Sequence, residues 1–224
     1  MSPLGHPVVR RLLTLLAVLP LIVFCAGCSD FWVSESSIQS VTVSPTAVIL
    51  KAGETTPDTY TLSSTSLTVG GTTNTDTTTA KWTSSDATIV SAAAGGVITA
   101  VTSSGGKTVT ITATDGGVGG TCNVLTYTGS APSSLTLGFP AGESTPALGA
   151  GFQVTAAGAL NGNSNFNFTP YVTWSTNASS IATVSSSGYV NVLSTATVGS
   201  TFQITATATF SGATVTGSYT FTVA

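Results

Sequence analysis

The chain has 224 residues, of which 6% are charged, and its formal net charge at pH 7 is −3. Binding to nucleic acid through phosphates requires clustered Lys and Arg side chains. Five basic residues in the whole chain cannot form such a surface, so the composition excludes this class of partner.

The first 27 residues have the organisation of a secretory signal peptide. Arg10 and Arg11 precede an apolar run at 12–24, and small residues follow that run. The run is well short of the ~20 residues that a membrane-spanning helix needs. We therefore expect residues 1–27 to be a leader that is removed from the mature protein.

The end of this leader resembles the lipobox of bacterial lipoproteins. The small pair Ala26-Gly27 directly precedes Cys28, and in lipoproteins this cysteine becomes the acylated first residue. The resemblance implies a lipid anchor on Cys28, with a linker over residues 28–37, and Ser29 after the cysteine implies the outer membrane. Two or three acyl chains suffice for stable anchoring. A plain secreted protein without a lipid is the alternative.

The residues left after this cleavage offer little for catalysis. Removal of the leader takes away His6 and both arginines, and Cys122 becomes the one thiol besides Cys28. Catalytic triads and most zinc sites use histidine. Cys122 is expected to be buried, because it shares a strand face with two valines. We predict that the protein is not an enzyme and binds neither a metal nor a cofactor.

The mature sequence alternates apolar and polar residues over short segments, as β-strands do. One predicted hairpin joins residues 108–114 to 118–124 across Asp115-Gly116-Gly117, and another follows residues 201–210 across Ser211-Gly212. Gly, Asn, Ser and Pro clusters separate the segments. The pattern predicts an all-β fold.

Part of the sequence occurs twice, 92 residues apart. Three aligned pairs share this separation: Trp82 and Trp174, Ile89 and Ile181, Gly96 and Gly188. About seven short strands in a unit of roughly 90 residues are typical of an immunoglobulin-like sandwich. We predict two tandem sandwiches, a first repeat at 38–128 and a second repeat at 129–224, each with its own tryptophan in its own core.

The first repeat resembles the bacterial Ig-like domain, group 2. The sequence IQSVTVSP at 38–45 has the form of that family's first strand, and four later segments follow the family's order: KAGET at 51–55, WTSSD at 82–86, GVITA at 96–100 and TITAT at 110–114. The second repeat keeps several of these segments but lacks the Ser-Pro pair at its start. The resemblance implies an immunoglobulin-like sandwich found in surface proteins and adhesin stalks, without catalytic residues.

One loop of the second repeat is a candidate binding surface. Asn165, Phe166, Asn167 and Phe168 place aromatic rings beside amides, which suits contact with a sugar. The alternative is that the two phenylalanines mark a strand edge that faces the core. Oxygen ligands for Ca²⁺ are abundant in the loops, but the acidic spacing of a dedicated calcium loop is missing.

These features predict a non-enzymatic, lipid-anchored protein of the bacterial cell envelope. It would be a spacer or an adhesion and binding module, attached to the membrane through its lipid, with glycans or envelope proteins as candidate partners. The alternative is a glycan-binding accessory module that works beside a carbohydrate-active enzyme.

Overall fold

The computed structural model describes residues 34–75 and 79–224. The predicted signal peptide, Cys28 and the start of the linker lie outside these ranges. Within them the chain forms nineteen strands and two short 3-10 turns, which confirms the all-β prediction. None of the described helical segments is long and apolar enough to cross a membrane.

Ten of the strands belong to the first repeat: β1 (Ile38–Ser44), β2 (Ala47–Lys51), β3 (Thr59–Thr61), β4 (Ser63–Thr68), β5 (Thr73–Asn74), β6 (Lys81–Ser84), β7 (Val90–Ala92), β8 (Val97–Ala100), β9 (Val109–Asp115) and β10 (Val118–Tyr127). They form two three-stranded sheets with the orders β1-β4-β5 and β3-β8-β7, and they contribute β6-β9-β10-β2 to a seven-stranded sheet that continues through β18 (Thr201–Phe210) into the second repeat. The 3-10 turn Ala94–Gly96 connects β7 to β8.

Nine strands belong to the second repeat: β11 (Thr136–Gly138), β12 (Gly151–Gln153), β13 (Thr155–Leu160), β14 (Asn163–Asn167), β15 (Thr173–Thr176), β16 (Ala182–Val184), β17 (Tyr189–Val192), β18 (Thr201–Phe210) and β19 (Ala213–Thr222). Their pairing repeats that of the first half, with β11-β13-β14, β12-β17-β16 and β15-β18-β19. The 3-10 turn Thr169–Tyr171 precedes β15.

The repeats contain more strand segments than the seven or so expected, because the chain changes sheets within what the sequence suggests is one strand. β1 pairs antiparallel with β4, whereas β2 pairs parallel with β10. Pro45 lies between them, after a cis peptide bond, and it has no N–H with which to continue a ladder. The first strand is thereby divided between two sheets.

Both predicted hairpins are confirmed. β18 and β19 pair along their whole length, from Thr201 with Thr222 to Phe210 with Ala213. The two turn residues between them, Ser211 and Gly212, both have positive φ, as the tight turns of hairpins require. β9 and β10 are joined in the same way through two glycines.

A tryptophan packs beneath a glycine in the first repeat. Trp82 is buried, and a Cβ added to Gly96 would lie 3.0 Å from its ring and would clash with the carbonyl oxygen of Leu62. The carbonyl of Gly96 accepts a hydrogen bond from the Leu62 amide at 2.9 Å. Gly96 also has φ +78°, so this backbone position excludes a side chain for two independent reasons.

The second repeat reproduces this arrangement. A Cβ on Gly188 would lie 2.9 Å from the ring of Trp174 and 2.6 Å from the carbonyl oxygen of Val154. The Val154 amide donates to the Gly188 carbonyl at 2.9 Å. The recurrence of tryptophan and glycine 92 residues apart therefore reflects one packing arrangement that was formed twice.

The buried apolar side chains form two clusters, one with Trp82 and one with Trp174, as predicted. The repeats are nevertheless less independent than the sequence suggests. Ile49, Leu125 and Tyr127 of the first repeat belong to the cluster of the second. A single residue pair, Phe210 with Ile49, also joins β18 to β2. The boundary at 128/129 stays a prediction, and the packing crosses it.

We expect the change Gly96→Ala to lower the free energy of unfolding by about 2–4 kcal/mol, because it combines an unfavourable positive φ with a steric clash. Gly95→Ala is a matched control: Gly95 has φ +76°, but no atom lies within 4 Å of its added Cβ. That control should lose only about 1 kcal/mol. Urea denaturation measures both values, and equal losses would contradict a packing role for Gly96.

Candidate functional site

The four residues of the predicted sugar-contacting loop divide between the core and the surface. Phe168 is fully buried, and its ring centroid lies 5.3 Å from that of Phe210 and 4.9 Å from that of Phe166. Its ring therefore contacts the hydrophobic core, which is the arrangement of the alternative hypothesis. It has no exposed face to offer to a ligand.

Phe166 is half-buried at the junction with the first repeat, where a Cβ on Gly106 would lie 3.0 Å from its ring. Asn165 and Asn167 are exposed, and Asn167 Oδ1 accepts a hydrogen bond from the Thr169 amide at 3.0 Å. The rings and the amides thus occupy opposite faces, as alternation along a strand requires. Ligand contact by this loop stays a prediction, and only the two asparagines are open to solvent.

Cys122 and Asp86 both have structural roles. Cys122 is fully buried, as predicted, and burial raises the pKa of its thiol to about 12. Asp86 Oδ1 accepts hydrogen bonds from the hydroxyl of Thr88 at 2.6 Å and from its amide at 3.0 Å, which forms an Asx turn. These bonds lower the pKa of the Asp86 carboxyl.

The acidic residues that the structure describes do not form a metal site. Across 34–75 and 79–224, no group of three or more His, Cys, Asp or Glu side chains is placed so as to hold a metal ion. Lys51 Nζ pairs with Glu54 at 2.6 Å on the surface, and this partner raises the pKa of Lys51.

A cleft of about 470 Å³ lies between the two repeats. Its lining comes from β2, β3 and the loop residues before each of them, and from strands and turns of the second repeat: Pro45, Ala47, Val48, Ile49, Leu50, Asp58, Thr59, Tyr60, Tyr171, Thr173, Thr207, Thr209, Ser211 and Gly212. A second pocket of about 330 Å³ shares four of these residues and extends toward Trp174 and Ser186. Together they form a groove along the junction.

The cleft exists because β2 and β18 are joined by only one pair. Successive amides at the end of β2 point to opposite sides: the amide of Ala52, the residue after β2, donates to the Tyr127 carbonyl of β10 at 2.7 Å, whereas the Lys51 amide donates to Asp58 Oδ2 at 2.8 Å. Asp58 therefore caps the β2 edge that faces away from β10. The space beside this edge is left open to solvent.

Hydrogen bonds between the repeats fix the walls of the cleft. Asp58 Oδ2 also accepts a bond from the hydroxyl of Ser211, which lies 3.3 Å from the hydroxyl of Tyr127. On another wall the hydroxyls of Thr108 and Tyr171 are 2.6 Å apart. Burial raises the pKa of Tyr171, so this phenol remains a neutral hydrogen-bonding group.

One aromatic ring in the cleft differs from its counterpart in the other repeat. Tyr60 aligns with Phe152, 92 residues later, yet 40% of Tyr60 is exposed against 4% of Phe152. Phe152 packs on Phe221 with ring centroids 5.3 Å apart. The same backbone position therefore places an aromatic ring in one core and, in the first repeat, at the wall of the cleft.

Sequence reasoning missed this site, since its lining residues come from segments more than 100 positions apart. The one available signal was the change from phenylalanine to tyrosine between aligned positions. A hydroxyl on the ring favours a location at the boundary with water.

No family model and no curated protein matches the chain, so membership of the bacterial Ig-like group 2 stays a prediction. Among solved structures, domains 5–6 of the S-layer protein SbsC are 17% identical, covering 83% of this chain and 97% of that one, with a TM-score of 0.33.

Two further solved structures are a bacterial adhesin and a polysaccharide-binding protein. The Yersinia pseudotuberculosis adhesin InvE is 17% identical (86% of this chain, 62% of that one, TM-score 0.29). A SusE-like surface polysaccharide-binding protein of the Bacteroides thetaiotaomicron heparin utilisation locus is 13% identical (83% and 34%, TM-score 0.25). Similarity at this level supports no conclusion about function.

Replacement of Phe168 by Ala should lower the free energy of unfolding by about 3–5 kcal/mol, because it leaves a cavity in the core. Asn165→Ala, on the exposed face of the same segment, should change it by less than about 0.5 kcal/mol. Chemical denaturation of both variants makes the comparison. A negligible loss for Phe168→Ala would contradict its position in the core.

Cys122 in the folded protein should not react with Ellman's reagent at pH 8. Its pKa of about 12 keeps the thiol protonated, whereas an unperturbed cysteine is partly ionised at this pH. The absorbance of the released thiolate measures the rate, and addition of guanidinium should release a full equivalent from this residue. Rapid reaction without denaturant would show that the thiol is accessible.

Proposed function

We propose that the protein is a non-enzymatic, lipid-anchored component of the bacterial cell envelope, attached at Cys28 to the outer membrane. In this proposal the two repeats act as a stiff spacer or as an adhesion and binding module. The supporting observation is the set of contacts that joins the repeats, because a spacer must hold its outer end at a defined distance from the anchor.

Apolar packing is the first part of this junction. The rings of Tyr127 and Phe210 meet edge to face with centroids 5.6 Å apart, and Ile49 and Leu125 are buried in the same cluster. Such aromatic pairs contribute about 0.5–1.5 kcal/mol beyond the area they bury. Relative motion of the repeats would expose these side chains to water and is therefore opposed.

Hydrogen bonds at the other side of the junction restrain rotation. The Thr128 amide, at the end of the first repeat, donates to Asn161 Oδ1 at 3.0 Å, and Asn161 Nδ2 donates to the Ser103 hydroxyl at 3.3 Å. Apolar and polar contacts on several sides make the pair of repeats behave as one body.

The described end of the linker is also attached to the first repeat. The Gly70 amide donates to the Glu35 carbonyl and the Val69 amide to the Ser37 carbonyl, both at 2.9 Å. Only the residues between Cys28 and Ser34 then separate the anchor from the folded body. This short connection supports a module that is held close to the membrane surface.

The surface chemistry suits weak contacts with neutral partners. The chain is only 6% charged, and many of its exposed strand positions are Thr or Ser. Hydroxyl groups both donate and accept hydrogen bonds without strong electrostatic attraction. The second candidate function, a glycan-binding accessory module beside a carbohydrate-active enzyme, is favoured by the exposed Tyr60 ring in the cleft.

Growth of the producing bacterium with radiolabelled palmitate tests the proposal. We expect the wild-type protein to become labelled and to fractionate with the outer membrane, whereas Cys28→Ala should be unlabelled. Cys25→Ala is the matched control, and it should keep the label. An unlabelled wild-type protein in the medium would support the plain secreted alternative. If the protein is labelled, chemical crosslinking in intact cells identifies its envelope partners.

A further inference from the structure

We propose that the cleft between the repeats binds a short neutral glycan, with the Tyr60 ring as its stacking surface and Asp58 as its fixed hydrogen-bond acceptor. This inference rests on the proposed location at the cell surface, where glycans are accessible. The sugar-contacting surface then lies at the junction and not in the loop at 165–168.

The dimensions of the cleft suit such a ligand. Its volume of about 470 Å³ lies within the ~300–1,000 Å³ typical of small-molecule sites. The adjoining pocket of about 330 Å³ shares Pro45, Ala47, Tyr171 and Thr173 with it. The concave surface is therefore elongated, as the binding of several linked sugar units requires.

The lining combines an aromatic face with hydroxyl groups. Sugar rings present C–H groups that pack on aromatic faces, and Tyr60 offers an exposed ring at the wall. Four threonines line the space, and a threonine hydroxyl can donate to or accept from a sugar hydroxyl: Thr59, Thr173, Thr207 and Thr209. The Ser211 hydroxyl already donates to Asp58, so it can only accept.

Asp58 is held in place by the protein before any ligand arrives. Its Oδ2 accepts bonds from the Lys51 amide and the Ser211 hydroxyl, and we assign Oδ1 to a sugar hydroxyl. Hydrogen bonds to a carboxylate are stronger than those between neutral groups. Because the side chain is already ordered, binding costs little additional conformational entropy.

The charges at the cleft favour a neutral ligand. None of the described residues that line it is Lys or Arg, and Asp58 is the one acidic side chain among them. The nearby Lys51 ammonium pairs with Glu54. A uronate or sulfate group would approach the Asp58 carboxylate without a compensating cation, which is unfavourable.

An extended peptide is a poorer fit for the same space. Peptides that add to a sheet need a row of free backbone amides and carbonyls along an edge. On β2 this row is interrupted, since the Lys51 amide is bonded to Asp58 and Ile49 pairs with Phe210. Strand addition would have to break these contacts first.

Titration of the full-length protein with four tetrasaccharides tests the proposal, in a detergent without a sugar headgroup. Cellotetraose, maltotetraose, laminaritetraose and xylotetraose are added in turn, and calorimetry measures the dissociation constant. We expect at least one to bind at millimolar concentration or below. Tyr60→Ala should weaken that binding about tenfold, since it removes the stacking surface.

Two further variants separate the cleft from the rest of the surface. Tyr189→Ala is the matched control, because Tyr189 is 48% exposed and lies outside the cleft lining; it should bind like the wild type. Thr209→Val keeps the shape of the side chain but removes a cleft hydroxyl, and it should weaken binding. Thermal denaturation of each variant verifies that it is folded.

Several results would overturn the inference. The first is that no tetrasaccharide binds to the wild type, and the second is that Tyr60→Ala and Tyr189→Ala weaken binding equally. The third is that polygalacturonate binds at least as tightly as the neutral tetrasaccharide, and the fourth is that an extended Thr-Val hexapeptide competes with the tetrasaccharide for the protein. Failure here is distinguishable from failure of the proposed function. A palmitate-labelled protein that binds no sugar removes only the glycan site, whereas an unlabelled protein that binds sugar removes only the anchor.

Discussion

The contact between a tryptophan ring and a glycine backbone is the constraint on which each repeat depends. Trp82 and Trp174 fill the space between sheets, and the chain can pass over each ring only because Gly96 and Gly188 have no Cβ. The same glycine carbonyls accept hydrogen bonds at 2.9 Å from the amides of Leu62 and Val154, each of which lies between two strands. One contact thereby fixes both the depth of the ring and the distance between two segments, and the rest of each sandwich is arranged around it.

Around this contact, the repeats conserve hydrogen-bond geometry more closely than residue type. After β6, the Ser85 hydroxyl accepts from the Thr110 amide at 2.9 Å. After β15, Asn177 Oδ1 accepts from the Gln203 amide at 2.7 Å. A hydroxyl and an amide oxygen satisfy the same backbone donor, because a buried or half-buried amide requires an acceptor but not a particular side chain.

The junction and its cleft arise where the repeats differ. In the first repeat β2 pairs with β10 along the edge of the sheet. In the second repeat no strand is described between β11 and β12, so β19 has no such partner. There, Phe139 packs on Tyr219 and Phe221, with distances between ring centroids of 4.5 and 5.0 Å. Because β2 has an edge beyond β10, it can meet β18 through one pair and leave a concave space beside it. A duplicated fold thus gains an inter-repeat groove from an element that was not duplicated.

The sequence by itself determined the all-β class, both hairpins, the paired tryptophans and the burial of Cys122, because alternation, turn residues and repeated spacing are local properties of a strand. Tertiary structure decided what the local pattern leaves open. Phe166 and Phe168 have the same two-residue spacing as any strand face, and only packing shows that one ring lies at the junction and the other in the core. Likewise, Asp58 and Ser211 are 153 positions apart, so their contact and the cleft depend on how the repeats pack, which periodicity does not encode.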